Sequence, residues 1–279
     1  MILKGRDLIV TLMRPKNYLA KVSRIVIKVG TSNLTGPSSS INPNKVKRLV
    51  EEVVELRRDG REVFIVTSGA IAAGVGKLAL TSRPKQMPSL QAAAAVGQSI
   101  LMKTYAEYFA RHHYVIAQLL LTKEDFADQK RFQNLNNTLE ALMGLKFIPI
   151  VNENDTVTVD EIRFGDNDNL AALLSAGVKA DLLVILSDTD GLYTGDPKVT
   201  KDVKPIRTVT AVTPELEKSA GEANRGSGGM VTKLQAAKTT LKAGIPLAIL
   251  DGEAPNILKK LLAGEDVGTM FVSKELIMA

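Results

Sequence analysis

Short runs of apolar, mostly β-branched residues alternate along the chain with longer stretches in which apolar positions recur every three or four residues. The short runs predict strands at 24–29, 62–67, 115–121, 147–151, 181–186 and 247–250. The longer stretches predict helices at 44–58, 88–111, 131–143, 168–178 and 229–243. Strands that are apolar throughout and separated by helices are typical of a parallel sheet covered on both faces. The pattern therefore predicts an α/β fold.

Residues 188–228 depart from this alternation, because they are rich in Gly, Pro, Thr and Lys and only weakly periodic. They are the best candidate for a domain boundary. We nevertheless expect the region to wrap around the C-terminal half rather than to act as a linker.

The amino-acid composition excludes several kinds of functional site. The 279 residues include no cysteine and two histidines, His112 and His113, which excludes a disulfide scaffold, a thiolate metal site and a cysteine nucleophile. Tryptophan is absent and aromatic residues make up 4%, so a base-stacking surface for nucleic acid is poorly supplied. The net charge of +6 permits an anionic partner without identifying it. We find no stretch long enough to span a membrane and no signal peptide, and expect a cytoplasmic protein without a membrane partner.

Four polar loops directly follow predicted strands, at 30–32, 68–70, 152–155 and 187–191. Ligands of open α/β sheets bind at this edge, where strands end and helices begin. In the first loop, Lys28 lies beside a glycine turn at Gly30, where free backbone amides and a mobile positive charge could bind phosphate. An ordinary turn with a lysine at the strand edge explains the same residues.

A second candidate phosphate loop, GSGGMVTK at 226–233, opens a predicted helix. Lys233 in its first turn opposes the helix dipole, and a bound phosphate would explain that placement. The spacing is not that of a Walker A motif, and a flexible turn that begins a helix is the alternative interpretation. A G-x-G-x-x-A match at 74–79 starts several residues beyond its strand and lacks the expected acidic residue, so we reject dinucleotide binding.

Carboxylates and amides crowd residues 152–155 (NEND) and 164–169 (FGDNDN). Asn and Asp are common in turns, but these groups could also bind a substrate, orient lysines or help to hold a metal bound to phosphates. Together with two lysines and glycine-rich loops, they suit phosphoryl transfer without a covalent enzyme intermediate. That reaction requires neither histidine nor cysteine.

Eight segments carry a resemblance to a known family: IKVGTS, VTSGAIAAG, AAVGQ, QLLLT, VNENDTV, FGDNDNLAA, SDTDGLYTGDP and GSGGMVTKLQAA. In this order, between residues 24 and 271, they resemble the glutamate 5-kinases of the amino-acid kinase family. The resemblance implies a three-layer αβα sandwich with an open, mainly parallel sheet. It also implies ATP-dependent phosphorylation of the L-glutamate γ-carboxylate, the first step of proline biosynthesis.

The resemblance also assigns site residues. Lys28 and Lys233 match two catalytic lysines, and Asp168 matches the aspartate that orients them. The glutamate-binding positions are Ser68, Gly69, Ala70, Asp155 and Asn167. The ATP-binding positions are Lys28, Gly30, Ser187, Asp188, Ser227, Gly228, Gly229, Met230, Val231, Thr232 and Lys233. Mg²⁺ is expected to be held mainly by the ATP phosphates, with no direct protein ligand.

The expected organisation is an N-terminal extension at 1–23 and one kinase domain at 24–279, whose N-terminal half binds glutamate and whose C-terminal half binds ATP. We expect no C-terminal PUA domain, although many relatives have one. The extension could be an arm in an oligomer, a disordered tail or a misassigned start. The family also suggests a homo-oligomer, a dimer or tetramer, and L-proline as a possible feedback inhibitor.

Alternatives remain. Other family members act on N-acetylglutamate, aspartate, carbamate or UMP. A non-catalytic nucleotide or amino-acid sensor and an RNA-binding protein belong to different classes. The intact Lys28, Asp168 and Lys233 argue against the sensor, and the scarcity of aromatic residues argues against RNA.

Overall fold

A computed structural model describes residues 16–36, 40–78, 82–158, 166–195, 203–223 and 229–278. They divide into two compact units. One is Lys28–Ile162, called the 28–162 unit below. The other, called the C-terminal unit, combines Met1–Ile27 with Arg163–Ala279.

The elements follow the predicted alternation. The strands are β1 (Arg24–Val29), β2 (Glu62–Val66), β3 (Ile116–Leu121), β4 (Ile148–Glu153), β5 (Leu182–Ser187), β6 (Leu192–Tyr193), β7 (Pro205–Ile206), β8 (Thr208–Val209), β9 (Leu247–Asp251) and β10 (Thr269–Phe271). The helices are α1 (Lys16–Lys21), α2 (Pro43–Arg58), α3 (Ala70–Lys77), α4 (Met87–Ala110), α5 (Lys123–Ala127), α6 (Gln129–Gly144), α7 (Asp166–Gly177), α8 (Pro214–Ala223), α9 (Met230–Lys242), α10 (Ile257–Leu262) and α11 (Lys274–Met278). Each predicted strand and helix begins and ends within two residues of the corresponding observed strand or helix.

The strands of the 28–162 unit lie in the order β3-β4-β2 and run parallel. Ile65 of β2 pairs with Ile150 of β4, and Ile116 of β3 pairs with Ile148. Successive residues of β2 and β4 are buried, although neighbouring side chains on a strand point to opposite faces. Both faces of these strands are therefore covered, as the sequence predicts.

The strands of the C-terminal unit lie in the order β1-β5-β9-β10-β8. Strand β5 is buried throughout and runs parallel to β9, whereas β10 is antiparallel to β9 and parallel to β8. The prediction of a mainly parallel sheet is confirmed, with β10 and its parallel partner β8 running opposite to β9. Strand β8 belongs to residues 188–228, and its pairing with β10 makes the described part of this region a member of the C-terminal unit. This agrees with the expectation that the region belongs with the C-terminal half and is not a linker.

A close backbone contact fixes the loop after β5. Gly191 has φ +121°, and a Cβ there would lie 2.4 Å from Thr269 Oγ1. That hydroxyl accepts a hydrogen bond from the Leu192 N–H at 2.7 Å and donates to the Ile206 carbonyl. Only glycine fits this conformation and spacing, so Gly191 allows the Leu192 N–H of β6 to reach Thr269 of β10.

Residues 16–23, which precede β1, pack in the C-terminal unit. Leu19 of α1 is fully buried. Asp181 Oδ2 accepts the Ser23 and Arg24 N–H groups, both at 2.8 Å, and the Tyr18 hydroxyl donates to the Asp181 carbonyl at 2.6 Å. These bonds anchor the described residues 16–23 of the predicted 1–23 extension, and residues 1–15 lie outside the described ranges. The limits of the predicted kinase domain stay a prediction.

Helices α3 and α4 pack through glycines. A Cβ on Gly74 would lie 1.8 Å from the Ala93 carbonyl oxygen, and a Cβ on Gly97 would lie 1.7 Å from that of Ala70. The glycines at 74 and 76 therefore lie inside a helix, and Gly74 serves a helix–helix contact rather than a turn next to a pyrophosphate. This agrees with the rejection of the dinucleotide motif. None of the helices in the described ranges has the length and apolar character needed to cross a membrane.

Candidate functional site

The C-terminal unit contains a buried ion pair between α7 and α9. Asp168, the third residue of α7, is fully buried, and the Lys233 side chain in the first turn of α9 is 9% exposed. Lys233 Nζ lies 3.4 Å from Asp168 Oδ2, and the Thr232 hydroxyl donates to the same oxygen at 2.7 Å. The carboxylate near the start of α7 suits the helix dipole, and it offsets the unfavourable lysine at the start of α9. The arrangement fixes an ammonium group beside the first turn of α9.

Helix α9 begins without a side-chain cap. Its N-cap residue, Gly229, is extended, with φ −72° and ψ −157°. The backbone N–H groups of the first turn have no partners within the helix, and such a terminus can bind an anion. Met230, Val231 and Thr232 contribute to this turn, whereas the predicted positions Ser227 and Gly228 lie outside the described residues.

A second polar pair follows β5. Ser187 is 5% exposed, and its hydroxyl donates to Asp188 Oδ1 at 3.2 Å. The Ser187 carbonyl accepts the Gly252 N–H at 2.9 Å, which ties this strand end to the end of β9. Asp188 itself is exposed and is available to a ligand at the edge of the sheet.

In the 28–162 unit, the loops after β1 and β2 lie against each other. Gly69 has φ +96° and opens α3, and a Cβ built on it would lie 4.0 Å from the Thr31 methyl carbon. Lys28 is 7% exposed at the end of β1, and Gly30 precedes the 3₁₀ turn Thr31–Asn33. The positive φ at Gly69 turns the backbone so that the Ser68–Ala70 segment begins a helix at this point. The structure thus brings the two glycine loops predicted from the sequence together.

A buried hydrogen bond supports the turn after β2. Thr67 is fully buried, and its hydroxyl lies 3.1 Å from the Tyr105 hydroxyl of α4. The Thr67 N–H donates to the Val151 carbonyl at 2.9 Å, which continues the ladder to β4. Burial raises the pKa of Tyr105 far above its usual value, so this phenol stays neutral and hydrogen-bonded. Ser68 follows directly and is half-buried.

The NEND segment begins in the last two residues of β4 and continues into a loop that is held by one bond to the end of β3 and one local bond. The Asn154 N–H donates to the Leu121 carbonyl at 2.8 Å, and the Thr156 hydroxyl donates to Asn154 Oδ1 at 2.7 Å. Burial raises the pKa of Asp155 to about 6, and the nearby positive charge of Arg83 opposes that rise. A cationic ligand would stabilise the ionised form of Asp155 in the same way.

A buried amide pair near this loop was missed by the sequence analysis. Asn152 Nδ2 donates to Gln98 Oε1 at 2.9 Å, and the two residues are 2% and 9% exposed. Gln98 borders a cavity of about 200 Å³ that Asp155 also lines. The only signal in the sequence is the amide in AAVGQ, which interrupts an Ala-rich apolar helix face.

The predicted site residues fall in both units. Asp168, Thr232 and Lys233 are in direct contact in the C-terminal unit, which also contains Asn167, half-buried beside Asp168, and the pair formed by Ser187 and Asp188. The 28–162 unit contains the remaining described positions: Lys28, Gly30, Ser68, Gly69, Ala70 and Asp155. Within the described ranges, no group of three or more His, Cys, Asp or Glu side chains could hold a metal ion.

Comparisons with known proteins identify the family of this chain. The description "Amino acid kinase family" matches residues 23–251. A glutamate 5-kinase of Geobacter metallireducens is 49% identical over 256 residues, which are 91% of this chain and 69% of that protein. A glutamate 5-kinase of Clostridium acetobutylicum is 47% identical over 261 residues, which are 93% of this chain and 98% of that protein.

Solved structures support the fold at low sequence identity. A carbamate kinase from Giardia lamblia bound to AMP-PNP has a TM-score of 0.65 at 14% identity, over 91% of this chain and all of that one. A UMP kinase from Ureaplasma parvum has a TM-score of 0.61 at 17% identity, with the same coverage. The predicted three-layer α/β fold with a mainly parallel central sheet is confirmed. The chain belongs to the amino acid kinase family, among its glutamate 5-kinase members.

Proposed function

We propose that the protein transfers the γ-phosphoryl group of ATP to the γ-carboxylate of L-glutamate, giving γ-glutamyl phosphate and ADP. The observation that carries this proposal is the buried contact of Asp168 Oδ2 with the Lys233 ammonium and the Thr232 hydroxyl, at the open start of α9. The near-half identity to the glutamate 5-kinases supports glutamate as the acceptor.

The C-terminal unit supplies the groups for ATP. The first-turn amides of α9, from Met230 to Thr232, suit phosphate oxygens because a helix gives its first N–H groups no intrahelical acceptor, and the Lys233 side chain lies beside them. Lys233 stabilises the negative charge that develops during transfer, and Asp168 holds the lysine in position. Ser187 and Asp188 lie at the end of β5 as further nucleotide contacts, and Ser227 and Gly228 complete the proposed loop.

The 28–162 unit supplies the groups for glutamate. The turn at Ser68, Gly69 and Ala70 presents backbone amides and a hydroxyl to the reacting carboxylate. Lys28 at the end of β1 and Gly30 in the adjacent loop complete this part of the proposed site, where Lys28 contacts the transferred phosphoryl group.

Two further positions complete the proposed glutamate site. Asp155 accepts the substrate ammonium group. Asn167 is the other residue that we propose to bind glutamate.

Transfer is direct and in line, without a covalent enzyme intermediate. Such a reaction needs positioning and charge neutralisation, which two lysines and oriented amides provide. Mg²⁺ bound to the ATP phosphates neutralises their charge and orients them. The residues present fit that role, because Lys233 and Thr232 engage the buried carboxylate of Asp168, and the phosphate oxygens would then supply most of the ion's ligands.

The proposal extends to the setting of the reaction. The step is the first of proline biosynthesis in the cytoplasm, with L-proline as a feedback inhibitor. The protein acts as a homo-oligomer, a dimer or tetramer, without a nucleic-acid or membrane partner. A proline titration of initial rates and a sedimentation measurement test these two regulatory and assembly proposals.

ADP release tests the reaction itself. With ATP and Mg²⁺, release should require L-glutamate and should be far slower with N-acetylglutamate, aspartate, carbamate or UMP. Equal release with N-acetylglutamate would assign the enzyme to a different acceptor, and ATP binding without turnover with all acceptors would favour a sensor.

A further inference from the structure

Three polar groups in the 28–162 unit form a directed chain of hydrogen bonds. The Glu153 backbone N–H donates to Asn152 Oδ1 at 2.9 Å. Asn152 Nδ2 then donates to Gln98 Oε1, also at 2.9 Å. The backbone N–H can only donate, so it fixes which end of the Asn152 amide is the oxygen. The Asn152 NH₂ group in turn fixes the oxygen of Gln98.

This chain of hydrogen bonds ends at the Gln98 NH₂ group, which is left as a donor. Gln98 Nε2 is buried and has no hydrogen-bond partner among the described residues, and the residue as a whole is 9% exposed. An unsatisfied buried donor is costly and rare in proteins. The position therefore favours a ligand that brings an acceptor.

The surroundings of Gln98 provide room for that ligand. The cavity of about 200 Å³ is bordered by α4, β3 and the NEND loop, with Gln98 and Asp155 on its wall. Its volume exceeds what one water molecule needs. A carboxylate on the wall attracts an ammonium group, and an amide NH₂ attracts a carboxylate. The two groups together match the head group of an α-amino acid.

The reacting end of the substrate lies elsewhere. The Ser68 turn follows β2 and lies against the loop after Lys28, whereas the cavity lies at β3 and β4, to one side of β2 in the order β3-β4-β2. A substrate whose γ-carboxylate meets Lys28 therefore directs its α-carbon towards the cavity. The strand order, rather than the amide alone, selects the α-carboxylate as the partner of Gln98.

We propose that Gln98 is a specificity-determining residue, whose Nε2 donates a hydrogen bond to the α-carboxylate of the amino-acid substrate while Asp155 receives its ammonium group. The proposal rests on the proposed function and names the residue that distinguishes an α-amino acid from an amine lacking the α-carboxylate. The Asn152 amide holds Gln98 in the donating orientation.

The test compares two acceptors, L-glutamate and 4-aminobutyrate, which is glutamate without its α-carboxylate. Gln98→Met removes the donor. Gln98→Glu keeps an oxygen for Asn152 Nδ2 and replaces the donor by a carboxylate. We expect kcat/KM for L-glutamate to fall about 10- to 100-fold in Gln98→Met and further in Gln98→Glu, because a hydrogen bond to a charged group is lost. The value for 4-aminobutyrate should change less than threefold. If the analogue is not turned over, its inhibition constant against L-glutamate gives the same comparison.

Gln133→Met provides the matched control. Gln133 is exposed on α6 of the same unit, and its amide also donates to an asparagine, Asn137 Oδ1, at 2.9 Å. This substitution should leave both acceptors unaffected. Thermal unfolding of all variants shows whether each is folded, and the isosteric Gln98→Glu keeps the test valid if Gln98→Met is not.

The results separate the possible failures. An equal loss for both acceptors in the Gln98 variants would mean that the residue only supports the fold, and unchanged kcat/KM for L-glutamate would also overturn the proposal. A wild-type protein that releases no ADP with L-glutamate would instead overturn the proposed function. In that case, equilibrium binding of L-glutamate and 4-aminobutyrate to the same variants still tests the role of Gln98.

Discussion

The ion pair between Asp168 and Lys233 allows a quantitative test by a double-mutant cycle. Asp168→Asn keeps the shape of the side chain and an acceptor for the Thr232 hydroxyl, but it removes the charge opposite Lys233. Lys233→Met removes the other charge while it keeps most of the apolar stem. The double variant leaves neither charge in the buried site.

The geometry of the ion pair sets the expected loss of stability in these variants. At the 3.4 Å that separates Nζ from Oδ2, an effective dielectric constant of about 20 gives an attraction of about 5 kcal/mol. The desolvation of two nearly buried charges offsets much of this, but removing one partner leaves the other charge uncompensated. We therefore expect Asp168→Asn to lower the free energy of unfolding by about 3–5 kcal/mol. The double variant should lose about 2–3 kcal/mol less than the sum of the two single variants.

Urea unfolding followed by circular dichroism measures these free energies, and initial rates measure kcat in the folded variants. The pair formed by Lys238 of α9 and Glu217 of α8 is the control, because its 3.2 Å separation is shorter but its side chains are 62% and 35% exposed. The cycle with Lys238→Met and Glu217→Gln should give a coupling below about 1 kcal/mol. Asp168→Asn should also lower kcat by about 100- to 1000-fold, since it releases a lysine that stabilises developing charge. Equal couplings for the buried and exposed pairs would refute the reasoning.

Two further predictions follow from the 28–162 unit. Because the pKa of Asp155 is raised to about 6, this carboxyl is mostly protonated below pH 6 and cannot attract an ammonium group. KM for L-glutamate should therefore rise about tenfold for each pH unit below 6. The Asp155→Asn variant should have a high KM that does not depend on pH. A wild-type KM that stays constant from pH 7 to 5 would contradict this. Gly74→Ala should lower the free energy of unfolding by about 1–3 kcal/mol, because the new Cβ would lie 1.8 Å from the Ala93 carbonyl oxygen. In the same helix, the new Cβ of Gly76→Ala would lie 3.3 Å from Ser40, and alanine has the higher helix propensity. Thermal and urea unfolding should therefore show a change in the free energy of unfolding within about 1 kcal/mol. Equal stability of the two variants would be inconsistent with the packing.

Strongly periodic elements could be predicted from the sequence, and elements held by distant contacts could not. Helix α2 shows a clear apolar face and ends at the expected glycine region, and β5 is an unbroken apolar run. Helix α3, with the sequence AIAAGVGK, has glycines and no polar face, so its pattern indicates no helix. It forms because Gly74 and Gly97 let α3 and α4 approach closely.

The residues of the candidate site also divide into those that could be predicted from the sequence and those that could not. Lys28, Lys233 and the glycine loops could be identified because they follow strands or open a helix, positions at which polar groups reach a ligand. Gln98 could not, because its partner Asn152 is 54 residues away and nothing local distinguishes a functional amide from a structural one. Only the fold shows that this amide ends a chain of donors at a cavity.

Trapping the product with hydroxylamine tests the central claim most directly. Incubation of the protein with ATP, Mg²⁺, L-glutamate and hydroxylamine should yield γ-glutamyl hydroxamate in proportion to ADP, and omission of any of the first three should abolish it. Mass spectrometry with a γ-specific fragment identifies the position of the hydroxamate. ADP formed without hydroxamate, or a hydroxamate at the α-carboxylate, would contradict phosphorylation of the γ-carboxylate.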